Sequence, residues 1–271
     1  MNANKALWEK GDFTEIAHFM RQSGEELAAS VAVEPGARVL DLGCGDGTTA
    51  LPFARMGADV TGIDIAANLV EAGNRRAAEA GLDNVAFEEG DATDLQGVDD
   101  DSFDVTFSCF GAMFAPKPFD VAREMVRVTK PGGRIVMGNW IPNDDTSFVS
   151  QLLKISAAFS PPPPEGFVSP VTWGVESHVV ERFGEAGVAE DQIEMVRDRF
   201  VFRSPDVDPA DYIEAFRRFY GPTMNAFDAA EASGNEDELF RQLVELANEH
   251  NTRTDGGFEI SATYLRVTVS L

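Results

Sequence analysis

Cysteine, histidine and basic residues are all scarce in this 271-residue chain. Its two cysteines, Cys44 and Cys109, cannot build a disulfide framework, so a reducing, cytoplasmic setting is expected. No run of about 18 apolar residues is present, and no membrane span is expected. The opening "MNANKALWEKGDFTEIAHFM" lacks the apolar core of a signal peptide and carries acids early. Only 22 Lys and Arg stand against 46 Asp and Glu, a formal net charge of -24. Such a surface repels phosphate backbones and anionic membranes, which argues against nucleic-acid and membrane partners. The arginine pairs in "GNRR" and "FRRF" are isolated and form no basic patch.

What is present is ordinary for a globular chain: 44% hydrophobic and 25% charged residues. The length suits one large domain carrying a substantial insertion. Residues 1–33 show apolar residues at helical spacing (Leu7, Trp8, Phe13, Ile16, Met20, then Leu27 and Val31), interrupted at Gly11 and Gly24. These are expected to form two or three short helices as an N-terminal cap. From Ala37 strands alternate with helices. "ARVLDL", "ADVTGID", "NVAFEEGD", "SFDVTFSCF" and "RIVMGNW" read as strands. Residues 48–56, "AANLVEAGNRRAAEAG" and "PFDVAREMVRVTK" read as the helices between them, the last stopped by Pro131-Gly132-Gly133. This alternation predicts an α/β fold with a doubly wound, mostly parallel sheet. After Trp140 it weakens. Helices over "DTSFVSQLLKISAAF" and "VESHVVERFGEAG" flank the stiff linker "SPPPPEG". A strand at 193–203 and a terminal strand at 262–270 bracket an aromatic-rich helical insertion, taken as residues 204–258, a candidate acceptor cap.

The chemistry starts at "VLDLGCGDGTTALPFA", residues 39–54. A strand end followed by glycines lets the backbone approach a ligand closely, and the helix start beyond it offers free N-H groups. A dinucleotide site would space its glycines G-x-G-x-x-G. Here Gly43, Gly45 and Gly47 are spaced G-x-G-x-G behind Asp41. An acid in that place disfavours pyrophosphate and favours a cation. Asp64 ends the second strand, where a carboxylate can accept both hydroxyls of a ribose. Asp91 follows the third, where it can accept from the amine of adenine. The implied ligand holds an adenosine, no phosphate and a positive charge, and S-adenosylmethionine fits.

Together, "VLDLGCGDG", "VTGIDIA", "FEEGDA", "FDVTFSCFGAMFAP" and "VTKPGGRIVMGNW" resemble the class I S-adenosylmethionine-dependent methyltransferases, nearest in feel to the small-molecule, type 11 or UbiE-like branch. The resemblance covers about residues 37–140. It implies a seven-stranded Rossmann-like methyltransferase fold, with S-adenosylmethionine as cofactor and S-adenosylhomocysteine as product. By the same resemblance Asp41 and Gly43 hold the methionine part, and Gly45 and Gly47 make the close turn. Asp64 is the ribose acid, Ile65 an apolar contact on the adenine, and Asp91 with Ala92 the adenine-amine contact. Ser108 stands where a backbone carbonyl meets the methionine amino group. Cys44 is expected to pack beside the cofactor rather than react.

The sulfonium methyl is already activated, so direct in-line displacement needs alignment and exclusion of water more than a protein base. Of the histidines, His178 and His250 read as structural or exposed. His18 and Tyr220 are the weak catalytic candidates. Phe110, Met113, Phe114, Trp140, Trp173 and Tyr220 are candidate walls for a small-molecule acceptor. No metal is expected, and the chain is taken as a monomer or homodimer. Two other readings stand beside methyl transfer. One is a module that binds S-adenosylmethionine without catalysis. The other is a nicotinamide-dependent oxidoreductase, which would need a dinucleotide glycine spacing and a catalytic Tyr/Lys or His/Asp pair.

Overall fold

The computed structural model describes residues 2–271. Within the first stretch, α1 (Ala3–Trp8), α2 (Thr14–Ala17) and α3 (Arg21–Val31) are short; the first break falls at Gly11 as expected, but Gly24 lies inside α3, packed against Thr48, and the second break is the turn at His18–Met20. Asn2 caps α1 by accepting from the Asn4 and Lys5 amides, and Ala32, in the left-handed region at φ 53°, ends α3.

The alternation that follows is the core of the fold. β1 (Arg38–Leu42), α4 (Ala50–Arg55), β2 (Asp59–Asp64), α5 (Ala67–Glu79), β3 (Val85–Glu89) and β4 (Phe103–Cys109) lead to α6 (Pro118–Val128) and β5 (Thr129–Trp140). Val39, Leu40, Leu42, Phe107 and Ile135 are fully buried, because parallel strands covered by helices have no wet face. Next come α7 (Phe148–Phe159), α8 (Glu176–Glu185), β6 (Ile193–Ser204), α9 (Pro209–Phe219), α10 (Gly221–Ala232), α11 (Glu236–His250) and β7 (Phe258–Ser270). The strands form one seven-stranded sheet in the order β3-β2-β1-β4-β5-β7-β6. β1 to β5 pair parallel, and β7 runs antiparallel to both β5 and β6. This is the doubly wound, mostly parallel architecture that the strand and helix pattern predicts.

Two boundaries differ from the sequence reading. Pro131-Gly132-Gly133 lies inside β5 rather than between a helix and a strand, since α6 already ends at Val128. The backbone needs glycine there: a Cβ on Gly133 would stand 2.9 Å from the Asp104 carbonyl oxygen, beside the register shift between Phe103 and Val105. β7 starts at Phe258, four residues before the expected 262, because its first residues pair with Phe202, Arg203 and Ser204 of β6. The helices α9, α10 and α11 therefore hang between the end of β6 and the start of β7, and pack on α7 and β7.

Candidate active site

The carboxyl ends of β1, β2 and β4 and the turn after β3 open into one cavity, the position that strand-order reversal creates in doubly wound sheets. The order of strands sets the order of its walls. Asp64, Ile65, Gly90, Asp91 and Ala92 stand on the β2–β3 side, and Gly43, Cys44, Gly45 and Asp46 form the middle. Cys109, Phe110, Gly111, Ala112 and Phe114 follow β4, and Phe200 comes from β6. Asn4, Trp8, Phe13 and Met20 of the N-terminal segment complete the wall.

The three glycines of the loop have three different jobs. All have positive φ, at 71°, 55° and 83°. Gly43 lies against the backbone of Gly111, and a Cβ there would come within 2.6 Å of the Gly111 Cα. Gly47 faces inward, where a Cβ would meet Leu51 Cδ1 at 2.2 Å. Gly45 is the open one: the nearest atom to its Cβ position is Phe13 Cδ1 at 4.0 Å. It therefore leaves a cradle that a side chain would fill.

Asp64 is nearly buried, and its oxygens accept from Gly45 N at 2.8 Å and Ala66 N at 3.0 Å. It thus fixes the loop and the start of α5. Each carboxylate oxygen has a second lone pair, so the group can still accept from a ligand hydroxyl. Burial raises its pKa, partly offset by those amides. Asp91 accepts from the Thr93 amide and hydroxyl through Oδ1 (2.9 and 2.8 Å), and Asn2 Nδ2 reaches its Oδ2 at 3.2 Å. An Asx turn and a contact from the chain's start both shape this acid.

Asp41 is fully buried in β1 and does not line the cavity. Thr49 Oγ1 donates to Oδ2 at 2.6 Å, while Oδ1 has no partner. Burial pushes its carboxyl up to about 7, with the Thr49 bond pulling the other way and the nearby Asp64 charge adding to the rise. Ser108 also sits behind the wall: its hydroxyl donates to the Leu42 carbonyl at 2.6 Å and accepts from the Ala112 amide at 2.9 Å. It binds β1 to the turn after β4. Burial pushes the Cys44 and Cys109 thiols well above their usual range, with neighbouring aspartates adding to it, so both are held as neutral packing groups.

The acceptor candidates divide. Phe110 and Phe114 line the cavity. Trp140 stacks behind Phe110 with ring centroids 3.5 Å apart, so it supports the wall without being part of its surface. Met113 is buried, and Trp173 is packed against Phe183 under the Arg182 guanidinium. Tyr220 lies outside the lining but touches it, with its ring 5.8 Å from Trp8 and 6.0 Å from Phe13. Burial pushes its phenol above the usual range. His18 points to solvent, and the structure does not bring it to the cavity.

Sequence reasoning missed Asn4, Asp46, Thr48, Thr49, Gly111 and Phe200 among others, and read Trp8, Phe13 and Met20 only as helix positions of the N-terminal cap. Asp46 lies within the glycine motif and was available to it. Phe200 carried no signal, since only the order β5-β7-β6 brings it beside Phe110.

Strand order, an acid at the carboxyl end of β2 and an open glycine cradle after β1 define the class of protein: a Rossmann-like, doubly wound fold with its cavity at the switch point of the sheet. A methyltransferase-domain family model matches residues 39–133. An uncharacterized protein of Mycobacterium tuberculosis is 33% identical over 252 residues, 91% of this chain and 88% of that one. The demethylmenaquinone methyltransferase of Clavibacter sepedonicus is 44% identical over 113 residues, 41% of this chain and 45% of that one. Among solved structures, the YcgJ protein of Bacillus subtilis superimposes with a TM-score of 0.57 at 20% identity, covering 91% of this chain and 97% of its own. The chain belongs to the class I S-adenosylmethionine-dependent methyltransferases.

Proposed function

We propose that the cavity holds S-adenosylmethionine on its β1–β3 side and a small apolar acceptor on its β4–β6 side, and that the methyl group passes between them by in-line displacement. The observation that carries this reading is the sequence of walls in one cavity: carboxylates at Asp64 and Asp91, the open Gly45, then Phe110, Phe114 and Phe200. Asp64 would accept from the ribose hydroxyls and Asp91 from the adenine amine, with Ile65 and Ala92 against the ring. Gly43 and Gly45 would let the methionine part lie along the loop.

Bound there, S-adenosylmethionine supplies a methyl group already activated by a sulfonium. The chain's task is to bind, orient and exclude water. Trp8, Phe13 and Phe114, packed edge to face, cover the cavity and remove water from it. The stacked Phe110–Trp140 pair offers a flat, rigid surface, which suits an acceptor with a planar apolar body. Such preorganisation lowers the entropy cost of alignment.

Calorimetry with S-adenosylhomocysteine tests the cofactor half. Binding supports it, and binding of NADH without S-adenosylhomocysteine overturns it. A panel of thiols, amines, phenols and carbon acids, assayed for S-adenosylhomocysteine release and methylated product, tests the acceptor half. No turnover across the panel by a protein that binds S-adenosylhomocysteine would favour a non-catalytic binding module.

A further inference from the structure

Asp46 lies in the glycine loop between Gly45 and Gly47, and only 1% of it is exposed. A carboxylate buried this deeply needs partners, and it has two guanidinium groups. Arg21, the first residue of α3, bonds both oxygens in a fork, with Nη1 to Oδ1 at 2.9 Å and Nη2 to Oδ2. Arg76 of α5 reaches Oδ1 at 3.2 Å and also donates to the Asp46 carbonyl oxygen. Thr48 accepts from Arg21 at 2.9 Å and donates to Asp46 Oδ1 at 3.2 Å. The contact between α3 and the loop is direct: a Cβ on Gly24 would stand 2.5 Å from Thr48 Cγ2. Met20 immediately precedes Arg21, and Phe13 and Trp8 lie further back in the same N-terminal segment; all three line the cavity.

We propose that Asp46 is a positioning residue that couples the glycine loop to the N-terminal wall of the cavity, through Arg21 to the segment carrying Trp8, Phe13 and Met20, and through Arg76 to α5. One carboxylate ties the loop to the base of the aromatic cover at Met20, while the start of that segment is held separately by Lys5 on Glu89 and by the Ala67 amide on Glu9. The two arginines divide the work: Arg21 secures the cover, and Arg76 secures the loop against the helix that follows Asp64. The effect on cofactor rests on the methyltransferase reading, whereas the coupling is a property of the free protein.

Hydrogen exchange of the free full chain and calorimetric titration with S-adenosylhomocysteine test this together. The variants are Asp46→Asn, Arg21→Met, Arg21→Lys and Arg76→Met. For Arg21→Met, exchange should rise about tenfold or more in residues 13–20 and stay near wild type in α5. Arg21→Lys should restore part of the protection. Arg76→Met should weaken S-adenosylhomocysteine about tenfold while leaving residues 13–20 protected, and Asp46→Asn should show both effects. Exchange that rises evenly across the whole chain, or N-terminal protection unchanged in Arg21→Met, overturns the coupling. If Asp46→Asn does not fold, the two methionine variants decide the matter. If wild type fails to bind S-adenosylhomocysteine, the cofactor reading falls and the exchange measurement still judges the coupling.

Discussion

Replacing Asp41 by Asn should make the free protein more stable at alkaline pH and leave it little changed in acid. The folded carboxyl keeps its proton up to about 7, whereas the unfolded one releases it near the ordinary value of 3.8. Between those two values unfolding releases a proton, so this group's contribution falls as pH rises and is fully lost above about 7. A gap of about three pKa units at about 1.4 kcal/mol each gives a ceiling of about 4 kcal/mol. Asn cannot ionise and keeps an oxygen for the Thr49 hydroxyl, so it lacks this pH-dependent loss. Urea unfolding of wild type and Asp41→Asn at pH 4, 6 and 8 would measure it. The variant should gain on wild type step by step, with most of the gain complete by pH 8. A stability difference that does not change with pH would refute the reasoning, because it would mean that Asp41 ionises as easily in the fold as outside it.

Other expectations follow from the same geometry. Asp64→Ala removes a buried acceptor of the Gly45 and Ala66 amides and should weaken S-adenosylhomocysteine about 10- to 100-fold by calorimetry, at about 1.5 to 3 kcal/mol per charge-assisted hydrogen bond. Gly47→Ala should lower the thermal midpoint more than Gly45→Ala does, because its Cβ meets Leu51 and Phe87 while that of Gly45 enters open space. Gly45→Ala should instead act mainly on cofactor affinity. Tyr220→Phe should leave the pH profile of turnover unchanged, since burial holds that phenol neutral through the working range; a lost basic limb would make Tyr220 a catalytic group.

The β1–β3 side of the cavity was legible in the chain because it is local. Gly43, Gly45, Asp64 and Asp91 each belong to a short motif at a strand end, and alternation of strands and helices puts strand ends together. The residues that stayed hidden depend on distant pairings. Arg21 and Arg76 look like ordinary surface charges until both meet Asp46. Phe200 reaches Phe110 only because β7 enters the sheet antiparallel between β5 and β6. Trp140 ends the fifth strand and Trp173 follows the proline-rich linker, and large aromatics in such places suggest a ligand surface. Packing decides otherwise, with one ring stacked behind Phe110 and the other beneath Arg182. Asp41 shows the same limit: the motif marks it, but the fold turns its side chain to Thr49 and away from the cavity.

The register of β6 with β7 has a consequence for how such a protein can change over time. Ser204 and Phe258 are paired neighbours, so the three helices between them leave the sheet and return to it at one point. The loops of a segment attached in that way can change length without moving a strand, since the gap it bridges stays fixed, while Tyr212, Phe216 and Leu243 keep its helices seated in the core. The five parallel strands and their glycine loop can then stay constant while the material at that single junction is rewritten. The pairing of Ser204 with Phe258 fixes where that segment joins the sheet, whatever the length of its loops.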